Sequence, residues 1–178
     1  MKRSKEDAAR TRQEIVEAAS RLFRKKGIAQ VSVADVMAEV GMTVGGFYRH
    51  FESKDALVAE AIELASLRTA GRQVPADELV RGYVSMGHVK NAADGCPVAA
   101  LCSEISHEGP IAREAFTQAM RRMLEQLARA KKSGRREQLQ SAAAAVGGVM
   151  LARASDDPKL AEEIVDAVRD GLLKATRG

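Results

Sequence analysis

The feature that most limits what this chain can fold into is the spacing of its helix start and stop signals. In "TRQEIVEAASRLFRKKGIAQVSVADVMAEVGMTVGGFYRHFESKDAL" apolar residues recur at helical spacing in short runs, each closed by a glycine or opened by a hydroxyl. Ile15, Ala18, Ala19, Leu22 and Phe23 form the inner face of a first helix from Arg10 to Lys26, which Gly27 stops in the C′ position. Ser32 is the expected N-cap of a second helix, with Asp35 completing an acidic variant of the capping box. That helix turns Val33, Val36, Met37 and Val40 inward and ends at Gly41. Thr43 can cap a third, short helix through His50, and Ser53 caps a longer one beginning "KDALVAEAIELASL". Three compact helices, a connector and a tight glycine-containing turn are the pattern of a helix-turn-helix, whose second helix enters the DNA major groove.

The rest of the chain continues in helices. Aromatic residues are only 3% of the sequence while hydrophobic residues are 46%, with Ala and Leu throughout, which favours helix packing over a sheet. A linker is expected at "AGRQVPADE", residues 70 to 78, where Gly71 and Pro75 interrupt the pattern. Helices are expected at about 76 to 90, 97 to 106, 110 to 131, 134 to 154 and 158 to 175, making an all-α protein of about nine helices. The division is an amino-terminal domain over 1–54, a connector helix from about 53 to 70, and a second domain over 55–178.

Charge points toward the same end of the molecule. Residues 1 to 54 hold 11 Lys and Arg against 7 Asp and Glu, whereas residues 55 to 178 hold 17 of each. A basic surface confined to one domain suits a polyanion, although an ordinary solvated helix face carries such charge too. No apolar run approaches the ~20 residues that span a bilayer, and the charged start is followed by no apolar stretch. A cytoplasmic location without membrane contact is expected, with Cys96 and Cys102 as thiols.

Gly45 and Gly46 stand where the third helix should begin, and glycine there costs roughly 1 kcal/mol relative to alanine. Two explanations fit. A first turn without side chains brings backbone amides and the positive end of the helix close to DNA. Alternatively, the glycines relieve crowding between two helices. Phe47 and Phe51, four residues apart, are core candidates rather than contacts.

With the helices so placed, residues 10 to 57 resemble the amino-terminal DNA-binding domain of the TetR/AcrR family of bacterial transcriptional repressors. The order of a glycine-ended first helix, "VADVMAEVGM" and "FYRHFESKDAL" carries the resemblance. It implies DNA contact by Ser32, Thr43, Val44, Gly45, Gly46, Tyr48, Arg49, His50 and Lys54. Tyr48, Thr43, His50 and Lys54 are implied backbone anchors, and Val44 could meet a thymine methyl.

The resemblance also implies a carboxy-terminal domain that binds a small-molecule inducer and a homodimer formed through the last two helices, reading a palindromic double-stranded operator. Ala142 to Ala145, Gly147 and Gly148 permit close helix approach, and Leu151, Leu160, Ile164, Val168, Leu172 and Leu173 supply an apolar face. A pocket would be lined by Tyr83, Met86, Leu101, Phe116, Met120 and Met123, together with Cys96 and Cys102.

Cys96 precedes Pro97 and is expected at a helix N-cap, which leaves two readings: a reactive thiol with Cys102 as resolving partner, or a small buried hydrophobe. Some TetR-like regulators carry a similar Gly-Cys-Pro segment, and a few members sense oxidants or electrophiles through cysteine. Cys96, Cys102, His88 and His107 match no tight zinc pattern, so neither metal nor cofactor is expected. "ARAKKSGRRE", residues 128 to 137, marks an exposed helix-helix turn. Against the leading reading of a ligand-controlled repressor stand a thiol enzyme using Cys96, which lacks a visible base, and a helical interaction module.

Overall fold

A computed structural model describes residues 5–70, 74–130 and 133–177, with side chains through 174. Gly71, Lys131 and Lys132, part of the expected linker and of the second basic cluster, lie outside the described residues. The protein is all-α, and no strand occurs among the described residues.

The first helix, α1, runs Lys5–Lys26, beginning earlier than the apolar pattern implied because Lys5 to Arg10 extend it with charged residues. Ile15, Val16, Ala19 and Phe23 are buried, and Gly27 takes φ +90°, a conformation that only glycine adopts without strain. The second helix, α2, is Val33–Glu39. Its capping box forms in full: the Asp35 N–H donates to Ser32 Oγ at 3.1 Å, and the Ser32 N–H donates to Asp35 Oδ2 at 2.8 Å. These bonds hold the exposed Asp35 carboxyl below its ordinary pKa.

The third element is a 3-10 helix, Val44–Arg49, rather than an α-helix. Its bonds close one residue early, as in Gly46 N–H to Thr43 O at 3.0 Å and His50 N–H to Phe47 O at 2.8 Å. Thr43 occupies the N-cap position in extended conformation but makes no side-chain capping bond, which corrects the role expected of its hydroxyl. At the next helix, α3, Lys54–Ala70, the expected cap forms, with Ser53 Oγ accepting from the Ala56 N–H at 3.1 Å.

The expected helix over 76–90 is broken in two: α4, Ala76–Tyr83, and α5, Met86–Lys90. Val84 leaves helical geometry and Ser85 becomes an N-cap, its Oγ accepting from the His88 N–H at 3.2 Å. The helix expected over 97–106 shortens to α6, Pro97–Leu101, followed by a turn and the 3-10 segment Ile105–His107. Three long helices complete the chain: α7, Pro110–Ala130; α8, Arg135–Ala154; and α9, Pro158–Arg177.

Packing centres on α3, which lies against α1 on one side and along α7 on the other, so one buried cluster runs from the amino-terminal helices into the carboxy-terminal ones. Phe23, Phe47, Met37 and Leu57 are fully covered, and each such side chain contributes roughly 1.5–3 kcal/mol by burial. Where α8 crosses α9, a Cβ on Gly148 would lie 3.0 Å from both methyls of Val168, so glycine sets the closest approach.

Candidate nucleic-acid interface and helical cavity

The residues expected to meet DNA gather around the 3-10 segment. Phe47 is wholly buried and Phe51 nearly so, their rings stacked with centroids 5.4 Å apart, which anchors the segment from inside. With Phe47 turned in, Val44, Gly45, Tyr48 and Arg49 are turned out, and Tyr48 is 70% exposed. Its ring meets Phe47 edge-on at 5.2 Å. Thr43 and Ser32 are also exposed, while Gly46, His50 and Lys54 are half-buried.

A Cβ on Gly45 would touch nothing within 4 Å, whereas one on Gly46 would meet the end of Met42 at 3.2 Å and the end of buried Met37 at 3.6 Å. Both have negative φ. Backbone strain demands neither glycine; Gly45 has an open outer surface, while Gly46 keeps a methyl's width between the segment and the side chains of Met37 and Met42. Lys54 is committed in part to the fold: its Nζ donates to Ile28 O at 2.7 Å and lies 5.9 Å from the centre of the Phe23 ring. One ammonium donor of three is so used.

Sequence reasoning missed Arg12. Its guanidinium reaches both carboxylate oxygens of Glu60, at 2.5 Å for Nη2 to Oε1, while Nε donates to His50 O at 3.3 Å. The same group lies 4.5 Å from the centre of the Phe51 ring. The Glu60 bond holds the Arg12 pKa above its ordinary value. No local pattern could reveal this clamp, since it joins α1 to the end of the 3-10 segment and to α3.

In the carboxy-terminal half, Tyr83 stands between two hollows. On one side an apolar cavity of about 50 Å³ lies among α4, α7, α8 and α9, lined by Val80, Val84, Met123, Ala145 and Leu172. On the other a polar cleft of about 740 Å³ is lined by Arg68, Arg81, His88, Asn91 and Cys96. Burial pushes the Tyr83 hydroxyl well above its ordinary pKa. Of the expected pocket residues, Tyr83, Met123 and Cys96 line these hollows. Leu101 and Phe116 are core, Met86 packs partly buried against that core, and Met120 and Cys102 are exposed.

Cys96 is buried and unpaired, at the N-cap position before Pro97. Its N–H donates to His88 Nε2 at 3.0 Å, so the ring proton sits on Nδ1, which donates to Tyr83 O at 2.8 Å. Burial holds the His88 pKa below its ordinary value. Arg153 braces the same region, donating to the carbonyls of His88, Val89 and Ala99. Among the described residues no cluster of His, Cys, Asp and Glu forms a metal site, and no helix is long and apolar enough to cross a membrane.

Residues 15–61 match the family model of bacterial regulatory proteins, tetR family. The HTH-type transcriptional regulator TtgR of Pseudomonas putida is 41% identical over 63 residues, 35% of this chain and 30% of that protein. A probable acrEF/envCD operon repressor of Escherichia coli is 37% identical over 87 residues, 48% of this chain and 36% of that protein. The chain thus spans about a third of the length of these curated relatives. In fold the likeness runs throughout: a TetR-family regulator from Agrobacterium tumefaciens superposes with TM-score 0.73 at 21% identity, covering 95% of this chain and 98% of that one. Escherichia coli NemR in its reduced form gives 0.74 at 17% identity, covering 90% and 96%.

Proposed function

We propose that the chain, whose residues 15–61 match the tetR-family model, is a homodimeric, ligand-responsive transcriptional repressor of the TetR family of bacterial regulatory proteins. The observation that carries this reading is the outward face of the 3-10 segment. Val44, Gly45, Tyr48 and Arg49 stand exposed, with Gly46 half-buried beside them, on a support locked by Phe47, Phe51 and the Arg12 clamp. In the complex, Tyr48, Arg49, Thr43 and Ser32 meet phosphates beside the groove, while the glycine-led turn approaches the base edges. His50 and Lys54 flank it, Lys54 with its remaining donors.

Residues 1–54 form the reading head, α3 joins it to the rest, and 55–178 form the effector and dimer domain. Two copies are needed because paired reading heads address grooves about 34 Å apart, or a multiple of that. The exposed small and apolar residues Ala143, Ala144, Leu151 and Leu160, with half-buried Gly147 beside them, support a dimer face on α8 and α9. An inducer enters beside Tyr83, changes the separation of the heads and releases a palindromic operator. The relatives named as repressors support the direction of control.

The thiol-enzyme alternative is disfavoured by His88, whose two ring nitrogens are both engaged by backbone groups, leaving neither to take a proton from Cys96. The test is titration of the protein against genomic DNA fragments at several salt concentrations. Steeply salt-dependent binding that saturates at two chains per protected palindrome supports the proposal. Salt-insensitive or absent binding ends it.

A further inference from the structure

Gly95 is held from two sides by different parts of the molecule. On one side is the His88 ring: a Cβ on Gly95 would lie 2.6 Å from both Cδ2 and Nε2, and the same Nε2 accepts the N–H of the next residue, Cys96. On the other is Arg24 of α1, buried in the amino-terminal half, whose Nη1 donates to Gly95 O at 2.7 Å while its Nε donates to Ser20 O at 2.9 Å. His88 also forms part of the wall of the polar cleft and meets the Tyr83 ring edge-on at 4.7 Å. A displaced His88 ring therefore breaks or drags its bond to the Cys96 N–H, one residue from Gly95, and Gly95 is bonded to α1.

A second tie acts in parallel. Glu104, beyond α6, accepts from the Ala29 N–H at 3.1 Å, and its carboxylate fills the space a Cβ on Gly27 would need, 2.5 Å away. The stretch 95–104 is thus fastened at both its ends, to α1 at Gly95 and to the connector between α1 and α2 at Glu104.

We infer that His88 is a positioning residue that converts a disturbance of the cleft beside Tyr83 into a shift of α1 and the α1–α2 connector, acting through Gly95 and Arg24. The inference rests on the regulatory reading only for its purpose; the mechanical link stands on the contacts alone. It needs no identified inducer, because Gly95→Ala supplies the disturbance by driving a methyl into the His88 ring. Arg24→Met removes the donor to Gly95 while keeping an apolar stem, and Arg24→Lys restores a cation there.

The experiment measures amide hydrogen exchange across residues 27–31 and affinity for a genomic fragment selected by the wild-type protein. In Gly95→Ala, exchange at Ala29 rises about tenfold and DNA affinity falls about tenfold. Both changes shrink in the Arg24→Met background and return with Arg24→Lys. Unchanged exchange at 27–31 in Gly95→Ala, or effects equally large with Arg24→Met, overturn the inference. Should Gly95→Ala fail to fold, His88→Ala, which opens space instead of filling it, is read by the same criteria. If no fragment binds while the exchange effect and its Arg24 dependence appear, the repressor reading fails and the link between the halves stands.

Discussion

Arg12 and Glu60 face each other as a two-pronged pair, and the same guanidinium holds the carbonyl at the end of the 3-10 segment, His50 O. One side chain of α1 therefore fixes that segment against α3. The pair is half exposed, so Arg12→Gln should cost only about 1 kcal/mol in unfolding free energy. The loss of DNA affinity should be larger in proportion, because the segment loses its outer brace. Calorimetry and DNA titration on one preparation compare the two, and an affinity equal to wild type would show that Phe47 and Phe51 suffice.

Gly46→Ala should leave folding intact and change stability by no more than about 1 kcal/mol, since the new methyl presses on the ends of Met42 at 3.2 Å and Met37 at 3.6 Å while the unfolded chain loses freedom. DNA affinity should nevertheless fall. A variant with wild-type affinity and a higher melting temperature would favour a purely local role for the glycines.

Gly147 and Gly148 are neighbours with opposite expected behaviour. Gly148→Ala forces a methyl against Val168 at 3.0 Å and should destabilise the chain by about 1–3 kcal/mol in denaturant melts. Gly147→Ala meets nothing within 4 Å in the single chain. Its effect should appear in sedimentation, as weaker dimerisation, without a change in the fold.

Burial depresses the His88 pKa, with Arg153 lowering it further against the opposing bond to Tyr83 O. The unfolded chain, with an ordinary histidine near 6.5, takes up the proton first as pH falls. Stability contributed by neutral His88 is complete above that value and drains away below it, toward the lower native value. Denaturant melts from about pH 7.5 to pH 5 should show this slope, and His88→Gln should flatten it.

Alkylation separates the two thiols. Cys102 is exposed and should react with iodoacetamide first, while buried Cys96 should lag by about an order of magnitude, as followed by peptide mass spectrometry. Equal rates would revive the sensor reading of Cys96.

Local chemistry was legible in the sequence wherever the deciding partners lie within one turn. Ser32 and Asp35 sit three residues apart and form the box their spacing implies, Gly27 ends α1, and Pro110 and Pro158 open the long helices. The break at Val84 was hidden because Val80, Tyr83 and Val84 keep helical spacing up to it and neither Gly nor Pro stands at positions 83 to 86; Ser85 and the packing of His88 decide otherwise. Periodicity also cannot say which apolar residue faces a hollow and which faces another helix, so Leu101 and Phe116 join the core while Leu79 and Leu127 line the cavity. Arg12 and Glu60, 48 residues apart, leave no trace in either pattern.

The tight winding of Val44–Arg49 sets up a simple alignment. With three residues per turn, Tyr48 rides directly over Gly45 and Arg49 directly over Gly46, so each long side chain overhangs a notch, open at Gly45 and partly filled by Met42 at Gly46. Relaxing to an α-helical winding would swing Tyr48 by about 60° relative to Gly45 and lose that register. A strand of phosphates resting in the notches would therefore favour the tighter coil, and the shape of the partner would help choose the pitch of the helix that reads it.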